Sequence, residues 1–470
     1  MLPLRYSKLD ITSTLIIGRV FGFGIKLFIP ILIVRYVTTE DFGLFQKIIG
    51  TIVLVTSYFS FGIDQSILFF FNKKNESFLF KNFILTFIIS LLVSISSFFG
   101  FYFFQSYLLE NTYSFLIIVK IILIIFFSIN NLPIDQFFIV KNLKKALLIF
   151  SILNGISRII ILLMFLYYFD NDVKSLINFI LTFESLKYLL FTFYFLIKEK
   201  DNLSLIKIYS DFKVILKYTV PLHLSNLLGT IGRSLDRNIL LYIATSTQFA
   251  FYSIAMFRIP YIDIVKGSIG HVMINQLSSN KINEKNKNEL WNLASIKLSS
   301  IVYPSIIFFF INGETFLQIL FTEKYITASY LYRILILSFL FAPLFTGQVL
   351  QAFNLKKQLF KSELLTLFLS IILNSILIYK FNVMGACIAF TIVTLSNSLI
   401  QFYYLKLNTP LNLNNSLMSE VFKMVLIYIT VGLSTNLICS FLGVSSITSM
   451  VFQSIIFLVI FCKKSLKLFI

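Results

Sequence analysis

Long apolar runs follow one another along this chain, separated by short polar connections. Fourteen of them approach or exceed the roughly 20 residues a helix needs to cross a bilayer. They lie near 13–36, 45–71, 78–104, 114–138, 146–169, 175–197, 217–242, 250–278, 291–320, 330–353, 362–379, 384–405, 417–441 and 446–462. The first begins after the basic start MLPLRYSKLD and lacks a small-residue cleavage site, so it reads as a retained helix, not a signal peptide. The one longer connection, 198–216, mixes charges with Leu203, Ile206, Ile208 and Phe212. It reads as a linker helix lying on the cytoplasmic membrane surface.

Composition agrees: 57% of the 470 residues are hydrophobic and 13% charged, against about half and a quarter in soluble domains. The expectation is an all-α polytopic membrane protein. Lys and Arg then orient it. They gather in alternate connections: Arg5 and Lys8; Lys73, Lys74 and Lys81; Lys141, Lys144 and Lys145; 198–217; Lys281, Lys285 and Lys287; Lys356, Lys357 and Lys361; Lys406; and Lys463, Lys464 and Lys467. The connections between carry acids such as Glu40, Asp41, Glu110, Asp170 and Asp172. By the positive-inside rule both termini are cytoplasmic. Much of the +19 net charge is thus a topology signal, and no nucleic-acid partner is implied. Cys387, Cys439 and Cys462 are scattered, and His223 and His271 are isolated, so neither a metal site nor a cofactor is expected.

Weak internal repeats suggest two lobes. QFFIVKNLKK (136–145) and QVLQAFNLKK (348–357) stand 212 residues apart, and EDFGLF (40–45) and TQFAFY (247–252) stand 207 apart. DVKSLI…FYFLIK and NVMGAC…FYYLK match at about the same spacing, near 210. Spans 1–6 and 7–12 then form two six-helix lobes related by a parallel pseudo-two-fold, with spans 13 and 14 added outside the repeat. The expected boundaries are 1–197 for the N-lobe, 198–216 for the linker, 217–407 for the C-lobe and 408–470 for the last two helices.

Two lobes with a cavity between them suit alternating access, and charges inside the membrane should line that cavity. In span 7, Asn226, Gly229, Thr230, Arg233, Asp236 and Arg237 recur at three- and four-residue steps. In span 1, Arg19 and Lys26 share a face, and Lys26 aligns with Arg233 at the 207 offset. Arg35, Arg158, Arg258, Lys266 and Arg333 extend the set of cations. Each costs roughly 2.5–3.5 kcal/mol at mid-membrane on insertion scales. The acids at depth, Asp64, Glu184, Asp236, Asp263 and Glu314, are fewer, so an anionic ligand is expected. Asp64, Glu184 and Asp236 are candidates for a coupling group, with Asp64 favoured because Arg19 lies at similar depth. A structural reading competes: Asp236 flanked by Arg233 and Arg237 also makes an intrahelical ion pair. Lys120 and Lys187 have long stems that can snorkel. Pro30, Pro221, Pro260, Pro304 and Pro343 are candidate kinks.

TLIIGRVFGFGIK (14–26), PILIVRYVTTEDFGLFQ (30–46), VPLHLSNLLGTIGRSLDRNIL (220–240), AFYSIAMF (250–257) and GACIAFTIVTLSNSLIQFYYL (385–405) carry a resemblance. The chain resembles the polysaccharide branch of the multidrug/oligosaccharidyl-lipid/polysaccharide exporter superfamily, above all Wzx-type O-antigen and polysaccharide flippases. Arg19 also matches the first-helix arginine of the R-V-L-G-F-x-R stretch in MurJ-type flippases, whereas Lys26 comes one position late. The resemblance implies a non-enzymatic flippase in the bacterial inner membrane, moving an undecaprenyl-pyrophosphate-linked oligosaccharide outward. Arg19, Lys26, Arg35, Arg158, Arg233, Arg237, Arg258 and Lys266 would meet the pyrophosphate. Tyr261, Tyr303 and Tyr325 would offer faces to sugars, and spans 13 and 14 a path for the polyprenyl tail. Membrane lipids, a polysaccharide polymerase and chain-length proteins are the implied partners. A MATE-like drug exporter of the same fold is the main alternative. A membrane-embedded polymerase or glycosyltransferase is a weaker one, since the outer connections are short and Asp170 and Asp172 read as helix caps.

Overall fold

The computed structural model describes residues 28–63, 67, 77–109, 114–141, 143–198, 208–257, 260–278 and 283–464. Among these no strand occurs. Residues 28–36 are helical (α1), followed by α2 (Thr39–Phe59), α3 (Ser77–Leu109), α4 (Phe115–Asn130), α5 (Ile134–Val140), α6 (Lys144–Tyr168) and α7 (Val173–Lys198). Then come α8 (Ile208–Ile243), α9 (Ser246–Ala255), α10 (Pro260–Leu277), α11 (Glu284–Phe321), α12 (Ser329–Ile336), α13 (Thr346–Ala352), α14 (Lys356–Asn408), α15 (Asn415–Phe441) and α16 (Ser446–Lys464). Ten described segments are long and apolar enough to cross a membrane. The chain is a multi-pass, all-helical membrane protein.

The helix starts are written locally. Thr38 Oγ1 accepts from Asp41 N at 3.1 Å, and Glu40 and Asp41 add negative charge to the first turn of α2. Thr245, 207 residues later, accepts from Gln248 N at 3.3 Å, while its own N–H donates to Gln248 Oε1 at 3.1 Å. That reciprocal pair is a capping box, so the EDFGLF and TQFAFY segments open equivalent helices with equivalent caps. Asp172 accepts from Ser175 N at 2.8 Å and caps α7, which is the role the sequence suggested.

Five expectations change, the first two being that span 2 leaves helix at residues 60–62 and span 4 at residues 131–133. Residues 208–216 are not a separate surface helix: they are the first turns of the 36-residue α8, while 199–207 lie outside the described residues. Span 8 is not continuous. It divides into α9 and α10, with Met256 and Phe257 out of helix and Pro260 opening the second piece, where its missing N–H costs nothing. Span 10 is also broken: α12 passes through 3-10 turns at Leu337–Phe339 and Ala342–Leu344 to a left-handed Phe345 before α13 begins. Pro343 sits at that break, whereas Pro304 is carried inside the continuous α11. Segment α14, 53 residues long, holds spans 11 and 12 and reverses at Asn382 (φ 49°, ψ −126°). Gly385 permits the reversal, since a Cβ there would lie 1.9 Å from the Leu377 carbonyl oxygen.

By contacts the described chain falls into two units, one comprising residues up to Leu227 together with Leu241–Ala250, the other Leu228–Leu240 and Phe251 onward. In the first, Phe83, Phe137, Phe191 and Phe195 form an aromatic core with Leu79 and Ile134, the Phe83 and Phe195 rings 4.5 Å apart. The α8–α9 corner is held on α2 in the same unit. A Cβ on Gly43 would lie 1.7 Å from the Ser246 carbonyl oxygen, so only glycine fits this approach. One turn on, the buried Lys47 ammonium donates to the Ala244 carbonyl at the end of α8, where the helix dipole favours a cation. In the second unit, α16 docks through Gln453. Its amide accepts from Asn312 Nδ2 and donates to the Gly432 carbonyl at 3.0 Å.

Candidate functional site

A polar cavity of about 270 Å³ lies inside the second unit, where the broken spans 8 and 10 meet α8 and α14. Met256 and Phe257 reach it from the first break, Ser338, Phe339 and Ala342 from the second. Non-helical backbone at membrane depth is tolerated where it is buried in protein or lines a cavity, and here both breaks do so. Asp236 from α8, Asp263 and Lys266 from α10 supply the charges.

Asp236 is 3% exposed and accepts a short hydrogen bond from the Tyr252 hydroxyl. A side-chain donor thus reaches it from α9, and the neighbouring Arg237 interacts with it electrostatically as well. The α14 wall carries Thr366, Ser370 and Asn374, each four residues from the last and all on one buried face. Ser370 Oγ donates to the Gly232 carbonyl at 3.1 Å and so ties α14 to α8. Asn374 Nδ2 donates to Ser370 at 2.8 and 3.0 Å, which leaves its carbonyl oxygen without a partner. The Tyr332 hydroxyl is likewise buried and unpartnered. Buried polar atoms are seldom left so. A carboxylate, an amide oxygen, and the hydroxyls of Thr366, Ser370 and Thr394 make a hard-oxygen lining. Among the described residues the cavity's charged lining is Asp236, Asp263 and Lys266.

Other predicted residues fall elsewhere. Arg19, Lys26, Asp64 and Arg258 lie outside the described residues, as does the Arg233 side chain, whose backbone is in α8. Arg237 follows Asp236 without lining the cavity. Arg35 is exposed near the end of α1. Arg158 belongs to a cluster in the first unit: its guanidinium packs 4.9 Å over the Phe183 ring and interacts electrostatically with Glu184. Glu184 Oε2 also accepts from Asn131 Nδ2 at 2.7 Å. The structure therefore sets Arg158 near Glu184, and Lys266 in the lining of a cavity that Asp236 and Asp263 also line. Tyr325 is 0% exposed and packs edge-on against Phe251, which removes it as a platform for a sugar. Tyr261 is spent on Ser305 at 2.7 Å and Tyr303 on the Leu340 carbonyl at 3.1 Å, though Tyr261 keeps an exposed face.

Sequence reasoning missed the α14 wall and Lys47. A signal for the wall was present: Ser362, Thr366, Ser370 and Asn374 form a four-residue polar ladder in an otherwise apolar run.

Comparison with known proteins gives the fold and family. Over 96% of this chain and 98% of the other, the structure is similar to that of the lipid II flippase MurJ in an inward closed conformation, with TM-score 0.68 and 16% identity. An inward-facing multidrug resistance MATE family transporter of the MOP superfamily matches over 82% of this chain and 94% of its own, with TM-score 0.61 and 13% identity. The fold is that of these transporters. In sequence, the chain is 25% identical over 396 residues to the capsular polysaccharide biosynthesis protein CapF of Staphylococcus aureus, covering 81% of this chain and 94% of that protein. The polysaccharide biosynthesis protein family model matches residues 9–258. With more than half of its length matched, this chain belongs to the polysaccharide biosynthesis protein family.

Proposed function

We propose that the protein is a flippase that carries an undecaprenyl-pyrophosphate-linked oligosaccharide, the repeat unit of an O-antigen, capsule or other surface polysaccharide, outward across the inner membrane by alternating access. The observation that carries this is membership of a polysaccharide biosynthesis family by a chain with a transporter fold. Residues 1–197 and 217–407 serve as the two moving lobes, with 408–470 alongside and both termini cytoplasmic. Arg19, Lys26, Arg35, Arg233, Arg237, Arg258 and Lys266 are the cations proposed for the pyrophosphate, which planar guanidinium groups engage by paired charge-assisted hydrogen bonds. Arg158 interacts electrostatically with Glu184.

Coupling falls to Asp236 in this reading. Its carboxyl group is buried beside a cavity whose described lining includes the unpartnered Asn374 Oδ1 and Tyr332 hydroxyl. A proton or a small monovalent cation bound there changes the charge of that unit, and differential affinity between two states is what shifts an equilibrium. Glu184 is instead hydrogen-bonded by Asn131 and interacts electrostatically with Arg158.

Inverted membrane vesicles with a labelled lipid-linked oligosaccharide test the function. The glycan should become inaccessible to an external glycosidase only when the protein and an ion gradient are both present. Uptake of a cationic dye without movement of the glycan would establish the drug-exporter alternative instead.

A further inference from the structure

A second cavity, a groove of about 570 Å³, runs between α6 and α7 in the first unit. Its walls are apolar and largely exposed, with Ile149 at 55%, Leu153 at 59% and Leu190 at 59%. Exposed apolar side chains on membrane-spanning helices face lipid. Within this apolar lining stand Asn154, Ser157 and Lys187.

Lys187 is 14 residues from one end of α7 and 11 from the other, about 21 and 16 Å along the axis at 1.5 Å per residue. Its ammonium is therefore near mid-membrane, too far from either surface for the stem to snorkel out. Among the described residues Lys187 has no hydrogen bond or ion pair. The acid one turn before it, Glu184, is already engaged by Asn131 and Arg158. In the same groove Asn154 Oδ1 is buried and unpartnered. An intramembrane cation in that position marks a functional site whose partner must be supplied.

We propose that this groove docks a transmembrane helix of a partner protein that carries one carboxylic side chain at mid-membrane, with Lys187 as its counter-ion. Depth excludes a resident phospholipid. Phospholipid phosphates lie at the edge of a hydrocarbon core about 30 Å thick, so a resident lipid brings its charge to the wrong level. A spanning helix brings a carboxyl group to the middle. Ser157 and Ala146, small residues in the groove, let a helix backbone approach closely.

The test uses the full-length protein in phosphatidylcholine nanodiscs and a labelled synthetic Leu/Ala helix of about 20 residues bearing a single central Glu or Gln. Energy transfer should show the Glu helix binding about ten-fold more tightly than the Gln helix. Lys187→Met should erase that difference and Lys187→Arg should keep it. Lys187→Met removes a charge from the membrane interior, so insertion should not suffer. Ser157→Leu, which fills the groove, should weaken both helices. Equal binding of the two helices, or a Glu preference that survives Lys187→Met, overturns the proposal. Displacement of the helix by phosphatidylglycerol overturns it in favour of a lipid site, and conversion of a dimer to a monomer by Lys187→Met overturns it in favour of a second copy of this chain.

Discussion

Replacing Asp236 by Asn separates the coupling role from the architecture of its cavity. Asn retains an oxygen that accepts from the Tyr252 hydroxyl, so the link between α8 and α9 survives. A hydrogen bond to a charged acceptor contributes about 1.5–3 kcal/mol and a neutral one about 0.5–1.5, so roughly 1 kcal/mol is lost. Against this, the variant no longer holds a charge at 3% exposure inside the membrane, a cost of about 2.5–3.5 kcal/mol on insertion scales. Asp236→Asn should therefore be as stable as the parent or up to about 2 kcal/mol more stable. Tyr252→Phe makes the opposite change. It keeps the carboxylate and removes its donor, at a cost of about 2–3 kcal/mol. Thermal unfolding of the purified proteins in nanodiscs should rank Asp236→Asn at or above the parent and Tyr252→Phe below it. In inverted vesicles, Asp236→Asn should lose dependence of glycan transport on the ion gradient while the lipid-linked substrate still binds. Unchanged transport with unchanged ionophore sensitivity, or destabilisation equal to that of Tyr252→Phe, would refute the reasoning.

Gly43→Ala should destabilise by about 1–3 kcal/mol through overpacking against the Ser246 backbone, whereas Gly100→Ala, with no atom within 4 Å of its new Cβ, should stabilise by roughly 1 kcal/mol through helix propensity; parallel thermal melts compare them. Lys47→Met removes the charged donor to the Ala244 carbonyl and should cost about 1.5–3 kcal/mol, which Lys47→Arg should partly restore in the same melts. A double-mutant cycle on Arg158→Met and Glu184→Gln should give a coupling energy of about 0.5–3 kcal/mol, and a value near zero would mean the two charges act independently. Cysteines at Thr245 and Ser445 should react with an impermeant thiol reagent from outside the cell and one at Asn286 should not; the reverse would invert the positive-inside assignment.

The sequence by itself determined what depends on local chemistry. Apolar runs gave the spans, because transfer into a bilayer sums over about 20 neighbouring residues. Thr38, Asp172 and Thr245 are caps whose partners lie three residues away. The repeat was legible for the same reason, since equivalent caps recur at a fixed offset. Tertiary structure decided which polar groups meet. Asp236 has Arg237 beside it in sequence, yet a tyrosine from the next helix also donates to it. Glu184 had Lys187 within a turn, yet Asn131 and Arg158 take it from two other segments and leave Lys187 to the groove. The breaks in spans 8 and 10 were hidden as well, because hydropathy registers side chains and is blind to backbone. In a low-dielectric interior a charge is settled by the nearest well-oriented partner in space, and distance along the chain limits that choice only within a single helix.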